Sequence, residues 1–396
     1  MIQISPETQL FIREHSSDDV RTLALQAKKY PDINMPTAIT QIAGRKVAAE
    51  KIPSWWEIEK IWYPKHLSLE QCSSEITARY KARLLQGDSL TDLTGGFGID
   101  CSFLATGFKS ATYVERQEEL CEIAAHNFPV LNLNHINIKN EDGVTYLQAM
   151  SPVDCLFLDP ARRNEHGGKT VAISDCEPNV AELEELLLQK ANRVMIKLSP
   201  MLDLSLALKE LKHTQEIHIL SVNNECKELL ILLRQTSPAE IAIHCVNLLT
   251  KGTQEEQHLV FTREQEQRSQ CTYTDSLGDY LYEPNASLLK AGAFRSIAAA
   301  YPVRKLHPNS HLYTSDSFIE NFPGRIFRIV NQCSFNKKEV KENLADLKKA
   351  NVTVRNFPAT VAELRKRLHL TEGGDTYLFA STLNNGQKVL IRCEKV

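Results

Sequence analysis

Hydrophobic and polar positions alternate with two different periods through the middle of the chain. From residue 88 to residue 222, short apolar runs of strand length are separated by amphipathic stretches of helix length. The runs predict strands at residues 90–93, 111–115, 136–139, 154–158, 193–198 and 216–222. The stretches predict helices at residues 99–107, 117–127, 143–150, 180–190 and 204–211. This alternation predicts an α/β fold with a doubly wound parallel sheet, which binds ligands beyond the carboxyl ends of its strands.

Different patterns flank this region. Residues 1–68 are predicted to form an N-terminal helical region, and residues 69–277 the parallel-sheet domain. Within that domain, the apolar runs 229–233, 241–248 and 258–262 predict antiparallel additions to the sheet. After it, an Ala-rich helix is predicted to run from about residue 286 to residue 300. Residues 278–323 and 324–396 are predicted to be two small α+β domains with a boundary at Pro323-Gly324.

Composition indicates a soluble intracellular protein. The chain has 396 residues, of which 42% are hydrophobic and 24% charged, and two to four domains are expected for that length. No apolar run reaches the roughly 18–20 residues of a membrane helix, and the N-terminus lacks the basic and apolar regions of a signal peptide. The ten cysteines contain no C-x-x-C pair, so we expect reduced thiols, no metal site and a cytoplasmic location.

The charge is distributed unevenly. The net charge is −3, but residues 324–396 contain 14 Lys and Arg against 7 Asp and Glu, a balance of +7. Such an asymmetry indicates a C-terminal domain that faces a polyanion. A solvated basic helix face explains the same charges equally well.

A glycine-rich loop follows the first predicted strand. The stretch from Thr91 to Asp100 contains Thr94, Gly95, Gly96 and Gly98. Glycines allow positive φ and a close approach of ligand to backbone. The sequence therefore predicts that these residues bind a cofactor.

Acidic residues stand at the ends of three successive strands. Asp92 can hold an ammonium group or a bound water, Glu115 can accept both hydroxyls of a ribose, and Asp142 suits an adenine amino group. Simpler roles exist, because Asp142 can be a helix N-cap and Glu115 a turn acid. The fourth strand then ends in Asp159-Pro160-Ala161-Arg162-Arg163.

The residues Asp92–Gly98, Glu115, Asp142 and Asp159–Arg162 resemble the ordered motifs of class I S-adenosylmethionine-dependent methyltransferases. The resemblance implies a Rossmann-like sheet and S-adenosyl-L-methionine as cofactor. A nicotinamide dehydrogenase shares the first two motifs but does not call for Asp-Pro after the fourth strand, so it is a distant alternative.

Further segments resemble bacterial methyltransferases that end in a THUMP-like domain. They are 71–75, 79–82, 356–358, 363–366, 373–375 and 377–379. In that family a small ferredoxin-like module precedes the THUMP-like part, which fits residues 278–323. Because THUMP domains are associated with RNA, the resemblance implies an RNA partner, rRNA or tRNA.

The sequence departs from two methyltransferase patterns. Ala161-Arg162 stands where Pro-Tyr or Pro-Phe would stack on a base, which puts methylation of a purine amine in doubt. Uridine C5 methyltransferases need a cysteine after the fifth strand, where this chain has Lys197-Leu198-Ser199-Pro200. Serine is a poor substitute for a thiolate. We therefore expect direct in-line methyl transfer to a base in RNA.

The expected roles follow from these positions. Asp159 is the hydrogen-bond acceptor or base for the substrate and also contacts the cofactor, with Pro160 and Arg162 beside it in the catalytic loop. Arg162 and Arg163 bind a phosphate of the target strand, or one of them pins the loop through a carboxylate. Lys197 and Ser199 line the substrate pocket.

Alternative functions are methylation of DNA or protein, and RNA binding without catalysis by a chain with a vestigial cofactor site. The sequence makes no prediction about oligomeric state.

Overall fold

A computed structural model describes residues 4–162, 172–236, 238–251 and 254–396, without the side chains of residues 66, 67 and 162. The chain forms two compact units, Met1–Gln215 with Leu230–Ser237, and Glu216–Leu229 with Pro238–Val396. No helix among the described residues is long and apolar enough to cross a membrane.

The first unit begins with helices, as predicted, and then alternates helices with strands. The helices are α1 (Pro6–Glu14), α2 (Val20–Leu25), α3 (Met35–Lys51), α4 (Pro53–Trp56), α5 (His66–Gln71), α6 (Glu75–Ala82), α7 (Ile99–Ala105), α8 (Glu118–Val130), α9 (Gly143–Ala149), α10 (Val180–Lys190) and α11 (Leu204–Glu210). The strands are β1 (Ser89–Asp92), β2 (Ser110–Glu115), β3 (Ile136–Asn140), β4 (Val153–Leu158), β5 (Ala161–Arg162), β6 (Cys176–Glu177) and β7 (Ala191–Leu198).

The boundary between the units runs through two strands, and the second unit continues from them. These two strands are β8 (Thr214–Val222) and β9 (Glu225–Leu233). The later strands are β10 (Ala242–Leu248), β11 (Glu256–Phe261), β12 (Tyr280–Pro284), β13 (Arg304–Lys305), β14 (Tyr313–Ser315), β15 (Gly324–Ser334), β16 (Asn351–Val354), β17 (Thr376–Thr382) and β18 (Lys388–Lys395). The helices are α12 (Arg263–Arg268), α13 (Ala286–Ala291), α14 (Phe294–Ala300), α15 (Lys337–Leu344) and α16 (Val361–Leu368).

The large sheet has the order β11-β10-β8-β9-β7-β4-β1-β2-β3. Strand β1 pairs in parallel with β2 and β4, β2 with β3, and β4 with β7. The carboxyl ends of these five strands therefore share one edge of the sheet. The predicted α/β fold with a mostly parallel sheet is confirmed.

The predicted antiparallel additions are only partly right. Strand β10 pairs in parallel with β8, from Ala242 opposite Glu216 to Leu248 opposite Val222, whereas β11 is antiparallel to β10. Between β8 and β9, a two-residue turn holds Asn223 and Asn224 at φ of 48° and 69°, as hairpin turns require. An apolar run marks a strand but does not encode its direction, which is why the pattern gave the wrong direction for β10.

A second sheet joins the two regions that were predicted as separate small domains. Its order is β13-β14-β12-β15-β18-β17-β16, and β12 pairs with β15 so that Pro284 lies opposite Gly324. A Cβ at residue 324 would lie 2.1 Å from the Glu283 carbonyl oxygen, so this close strand contact requires glycine.

The Ala-rich helix that was predicted to reach residue 300 is interrupted at Gly292, where φ is +75°. Strand β12 was not predicted.

The connection from the N-terminal helices to the sheet is held by two side-chain amides. Gln41 on α3 donates to the Tyr63 carbonyl and accepts from the Tyr63 N–H, both at 2.9 Å. Asn127 on α8 does the same for Trp62, again with both distances at 2.9 Å. These amides replace the strand partners that an extended segment otherwise needs for its backbone groups.

Three histidines stack across β8, β10 and β11. The rings of His218 and His244 are 4.3 Å apart, and His244 Nδ1 lies 3.2 Å from His258 Nε2. Glu216 Oε2 lies 3.6 Å from His244 Nε2. Burial, followed by the neighbouring His218 and His258, lowers the pKa of His244 to about 4, while Glu216 opposes the shift.

This depressed pKa predicts acid sensitivity. The unfolded chain binds a proton at His244 near its ordinary pKa of 6.5, whereas the folded chain does so only near 4. Stability is therefore lost as pH falls from about 6.5 towards 4. We expect the free energy of unfolding to fall less between pH 7 and pH 5 in His244→Gln than in the natural protein, measured by urea denaturation. An identical pH dependence in the two proteins would contradict this assignment.

Candidate functional site

The glycine-rich loop between β1 and α7 is fixed from beneath by a tyrosine. Gly96 and Gly98 have φ of 55° and 86°, a region that side-chain-bearing residues rarely adopt. A Cβ on Gly95 would lie 2.3 Å from Cε2 of Tyr113, whose hydroxyl donates to the Gly96 carbonyl at 2.5 Å. The space that glycine leaves at residue 95 is thus filled by the ring that holds the loop.

Hydrogen bonds tie this loop to the end of the fourth strand. Asp92 Oδ1 accepts from the Thr94 N–H at 3.0 Å, and Thr94 Oγ1 accepts from the Asp159 N–H at 2.6 Å. The structure therefore brings these three predicted residues together.

The Asp92 carboxyl is buried among other acids. It is 1% exposed, and burial raises its pKa well above the ordinary value, reinforced by the charges of Asp100, Asp159 and Glu115. A cation bound beside Asp92 would stabilise the ionised carboxylate and so offset the free energy that ionisation costs there. The group is thus adapted to a positively charged ligand.

The two other predicted acids brace the backbone. Glu115 accepts from the Gly96 N–H at 2.9 Å and from the Gln117 N–H at 2.8 Å. Asp142 caps α9, since its Oδ1 accepts from the N–H groups of Val144 and Thr145, both at 3.0 Å. Glu115 is therefore a turn acid and Asp142 a helix N-cap, as the simpler alternatives predicted. Contacts of the two acids with a cofactor stay predictions.

A buried charge network reaches Asp159 at the end of β4. It consists of Ser73, Lys81, Asp100, Lys197 and Asp159. Lys81 Nζ lies 3.0 Å from Asp100 Oδ1 and 3.1 Å from Ser73 Oγ, which donates to Asp100 Oδ2 at 2.7 Å. Lys197 Nζ lies 2.5 Å from Asp159 Oδ2, 3.0 Å from Ser73 Oγ and 3.3 Å from Asp100 Oδ2.

Every bond that the Ser73 hydroxyl can form is used in this network. It donates to Asp100 and accepts from both lysines, which is the full capacity of a hydroxyl. Lys81 is 0% exposed. Burial alone would raise the pKa of Asp100, but the charges of Lys81 and Lys197 outweigh burial and hold this pKa below its ordinary value.

Sequence reasoning did not assign a function to Ser73, Lys81 or Asp100. Ser73 lies just before α6, and its hydroxyl belongs to the network. One signal was available, because Lys81 lies three and four residues after Ala78 and Thr77, on the buried side of α6. A lysine on the buried side of a helix is almost always paired.

The remaining predicted residues are placed as follows. Pro160 is buried, and Ala161–Arg162 forms β5, which pairs with β6. The Arg162 side chain and Arg163 lie outside the described residues. Ser199 Oγ accepts from the Met201 N–H at 3.3 Å, in the turn after β7. Contacts of Pro160, Arg162, Arg163 and Ser199 with substrate stay predictions.

Comparisons with known proteins match two family models to the C-terminal part of the chain and one solved structure to its whole length. Family models match residues 280–323 as a ferredoxin-like domain and residues 324–395 as a THUMP domain-like region. A solved structure, named a "putative methyltransferase", from Porphyromonas gingivalis W83 is 34% identical, with a TM-score of 0.88 over 100% of both chains. The chain belongs to this family of class I methyltransferases with ferredoxin-like and THUMP-like domains.

More distant structures share only part of the fold. An rRNA methylase from Streptococcus thermophilus is 14% identical over 40% of this chain and 94% of its own, with a TM-score of 0.31. A "putative methyltransferase" from Streptococcus mutans in complex with SAH is 12% identical over 40% and 96%, with a TM-score of 0.30. No curated protein matches the chain.

Breaking the buried network should destabilise this methyltransferase. Lys81→Met leaves Asp100 with one ammonium fewer in a buried place, and we expect the free energy of unfolding to fall by about 3–5 kcal/mol. Lys109→Met is the matched control, since Lys109 is 79% exposed in its pair with Asp88 and should cost less than about 1 kcal/mol. Equal losses in the two variants, measured by urea denaturation, would count against the network.

Proposed function

We propose that this protein is an S-adenosylmethionine-dependent methyltransferase that methylates RNA, rRNA or tRNA, by direct in-line transfer. The observation that carries the proposal is the buried carboxyl of Asp92, which the acids around it make receptive to a cation. It stands at the edge of the sheet where the glycine-rich loop, Glu115 and Asp159 also lie.

These residues fit the cofactor in charge and shape. S-adenosylmethionine supplies a methyl group activated by a sulfonium, and its amino group is a second cation. Asp92 would hold a positively charged end, Glu115 the ribose hydroxyls, and Gly96 and Gly98 would leave room for the ligand. Its product S-adenosylhomocysteine lacks the sulfonium charge, so an acidic site favours the cofactor over the product.

The surface of the THUMP-like region supports RNA as the substrate. Arginines of residues 324–396 are engaged in ion pairs: Arg325 and Arg355 with Glu283, Arg328 with Glu394, Arg365 with Glu372, and Arg392 with Asp346. Exposed basic residues of α15 and α16 are Lys337, Lys338, Lys341, Lys366 and Arg367. We call these five residues the basic helix set.

The two helices cover the same side of the second sheet. Leu344 of α15 and Leu364 of α16 pack into one core with Leu378 and Leu390 of the strands beneath. The Arg367 guanidinium lies 4.0 Å from the centre of the Phe335 ring, just before α15. Basic side chains on adjoining helices suit the phosphates of a nucleic acid strand.

Methyl transfer tests the proposal directly. The full-length protein is incubated with labelled S-adenosylmethionine and total RNA from cells that lack it. We expect label that ribonuclease releases and that deoxyribonuclease and protease do not. Label lost only to deoxyribonuclease or protease would instead favour a DNA or protein substrate, and absence of label with S-adenosylhomocysteine bound would overturn RNA methylation.

Neutralising the basic helix set should weaken RNA binding. Replacing all five residues by glutamine removes up to five positive charges that can neutralise phosphates. We expect the slope of log affinity against log salt to fall by about 0.7–0.9 for each phosphate that is no longer neutralised. The matched control replaces five exposed basic residues of the first unit by glutamine: Arg13, Arg21, Lys28, Lys29 and Lys60. An unchanged slope in the first variant would remove these helices from the RNA-binding surface.

A further inference from the structure

The charge network ends in a carboxylate and an ammonium that touch each other. Asp159 is 37% exposed and Lys197 11%, whereas Lys81 is 0% exposed behind them. Lys197 Nζ is 2.5 Å from Asp159 Oδ2. A substrate atom that hydrogen-bonds to this oxygen therefore lies within roughly 5 Å of the ammonium.

This ammonium disfavours a nitrogen acceptor. An amino group that attacks a methyl group gains positive charge in the transition state, and a fixed positive charge nearby raises the energy of that state. The loop offers no aromatic ring to stack on a base, since Ala161-Arg162 stands where Pro-Tyr or Pro-Phe would stack. The loop thus lacks the stacking ring of enzymes that methylate a base amine, and the Lys197 ammonium offsets the stabilisation that the Asp159 carboxylate would give to the positive charge of such an acceptor.

A carbon acceptor that needs a covalent thiolate is disfavoured as well. Cys72 and Cys155 belong to the same unit, and burial raises the pKa of each thiol to about 11. A thiol that stays protonated near neutral pH is a weak nucleophile.

An oxygen acceptor needs what the pair provides. A hydroxyl that attacks must give up its proton, and its oxygen carries negative charge as it does so. A carboxylate can take the proton and an ammonium can stabilise the charge. We infer that the acceptor is the 2′-hydroxyl of a ribose, the hydroxyl that distinguishes RNA from DNA. This inference rests on the proposed RNA methyltransferase function and replaces the base expected from the sequence.

The network lets Lys197 donate a hydrogen bond to the substrate oxygen without leaving its position. Asp100 already binds Lys81 at 3.0 Å and Ser73 at 2.7 Å, so the 3.3 Å contact from Lys197 is the one most easily given up. Lys197 keeps its bond to Ser73 while one N–H turns to the substrate oxygen. Ser73, Lys81 and Asp100 are positioning residues, and Lys197 and Asp159 are catalytic residues.

In the proposed transfer, the proton and the electron pair are each accounted for. The 2′-hydroxyl gives its proton to Asp159 while its oxygen forms a bond to the methyl carbon. The bond between that carbon and sulfur breaks, and its electron pair stays on sulfur and cancels the sulfonium charge. Asp159, which is partly exposed, passes the proton to water.

The position of the methyl group in RNA labelled by the natural protein tests the inference. Alkali cleaves RNA beside every free 2′-hydroxyl, so we expect the label in alkali-resistant dinucleotides and on the sugar fragment in mass spectra. Label on the base of alkali-released mononucleotides would overturn the inference and leave the RNA methyltransferase function standing. Absence of label from RNA would overturn both.

Variants of Lys197 test the role of the ammonium. Lys197→Met should reduce the rate of transfer by about 100-fold or more, as for removal of one oxyanion donor, while S-adenosylhomocysteine affinity changes by less than about 3-fold. Lys197→Arg should restore part of the activity, and Lys109→Met should match the natural protein. Transfer by a folded Lys197→Met within about 3-fold of the natural rate would overturn the role.

Binding without cofactor provides an independent measurement. An RNA with a single 2′-deoxy nucleotide at the mapped target should bind the natural protein about 10-fold more weakly than the unmodified RNA, as for removal of a charged hydrogen bond. Lys197→Met should show a smaller difference in affinity between the two RNAs, because only the hydrogen bond to Asp159 then remains. Equal affinity of the two RNAs for the natural protein would overturn the proposed hydrogen bond.

Discussion

Two lysine ammonium groups and the carboxylate of Asp100 are buried around the hydroxyl of Ser73. Ser73 and Lys197 are 124 residues apart in the chain, yet their atoms lie 3.0 Å from each other. Buried charges are tolerated only when every one of them is paired, so the elements that bring these groups must hold one arrangement. The position of Asp159, at the outer end of the network, is therefore set through Lys197 by groups that lie deeper in the fold.

The same network also affects the carboxyl of Asp92. Asp100 and Asp159 both contribute to the raised pKa of Asp92, because their negative charges oppose the ionisation of its carboxyl. A cation bound beside Asp92 would offset the repulsion that these carboxylates create. If the proposed function holds, binding of a cation beside Asp92 and charge at Asp159 would be coupled electrostatically, without any need for backbone movement.

Residues at strand ends could be predicted from the sequence because hydrophobic periodicity locates strand ends and parallel strands align them. That logic placed Asp92, Glu115 and Asp159 correctly at one edge. It could not find the partnership of Lys81 with Asp100, since a pair between a helix before the sheet and a helix after the loop depends on tertiary packing. The direction of β10 was missed for a related reason, because pairing partners lie far apart in sequence.

Neither charged region of this protein can recognise a base sequence by itself. The Lys197–Asp159 pair would act on a hydroxyl that every ribonucleotide carries, and lysine contacts to phosphate set position without reading bases. If the acceptor is the 2′-hydroxyl, selectivity has to come from the three-dimensional shape in which a folded RNA presents one ribose. In that case a structured RNA would suit this site better than an unfolded strand.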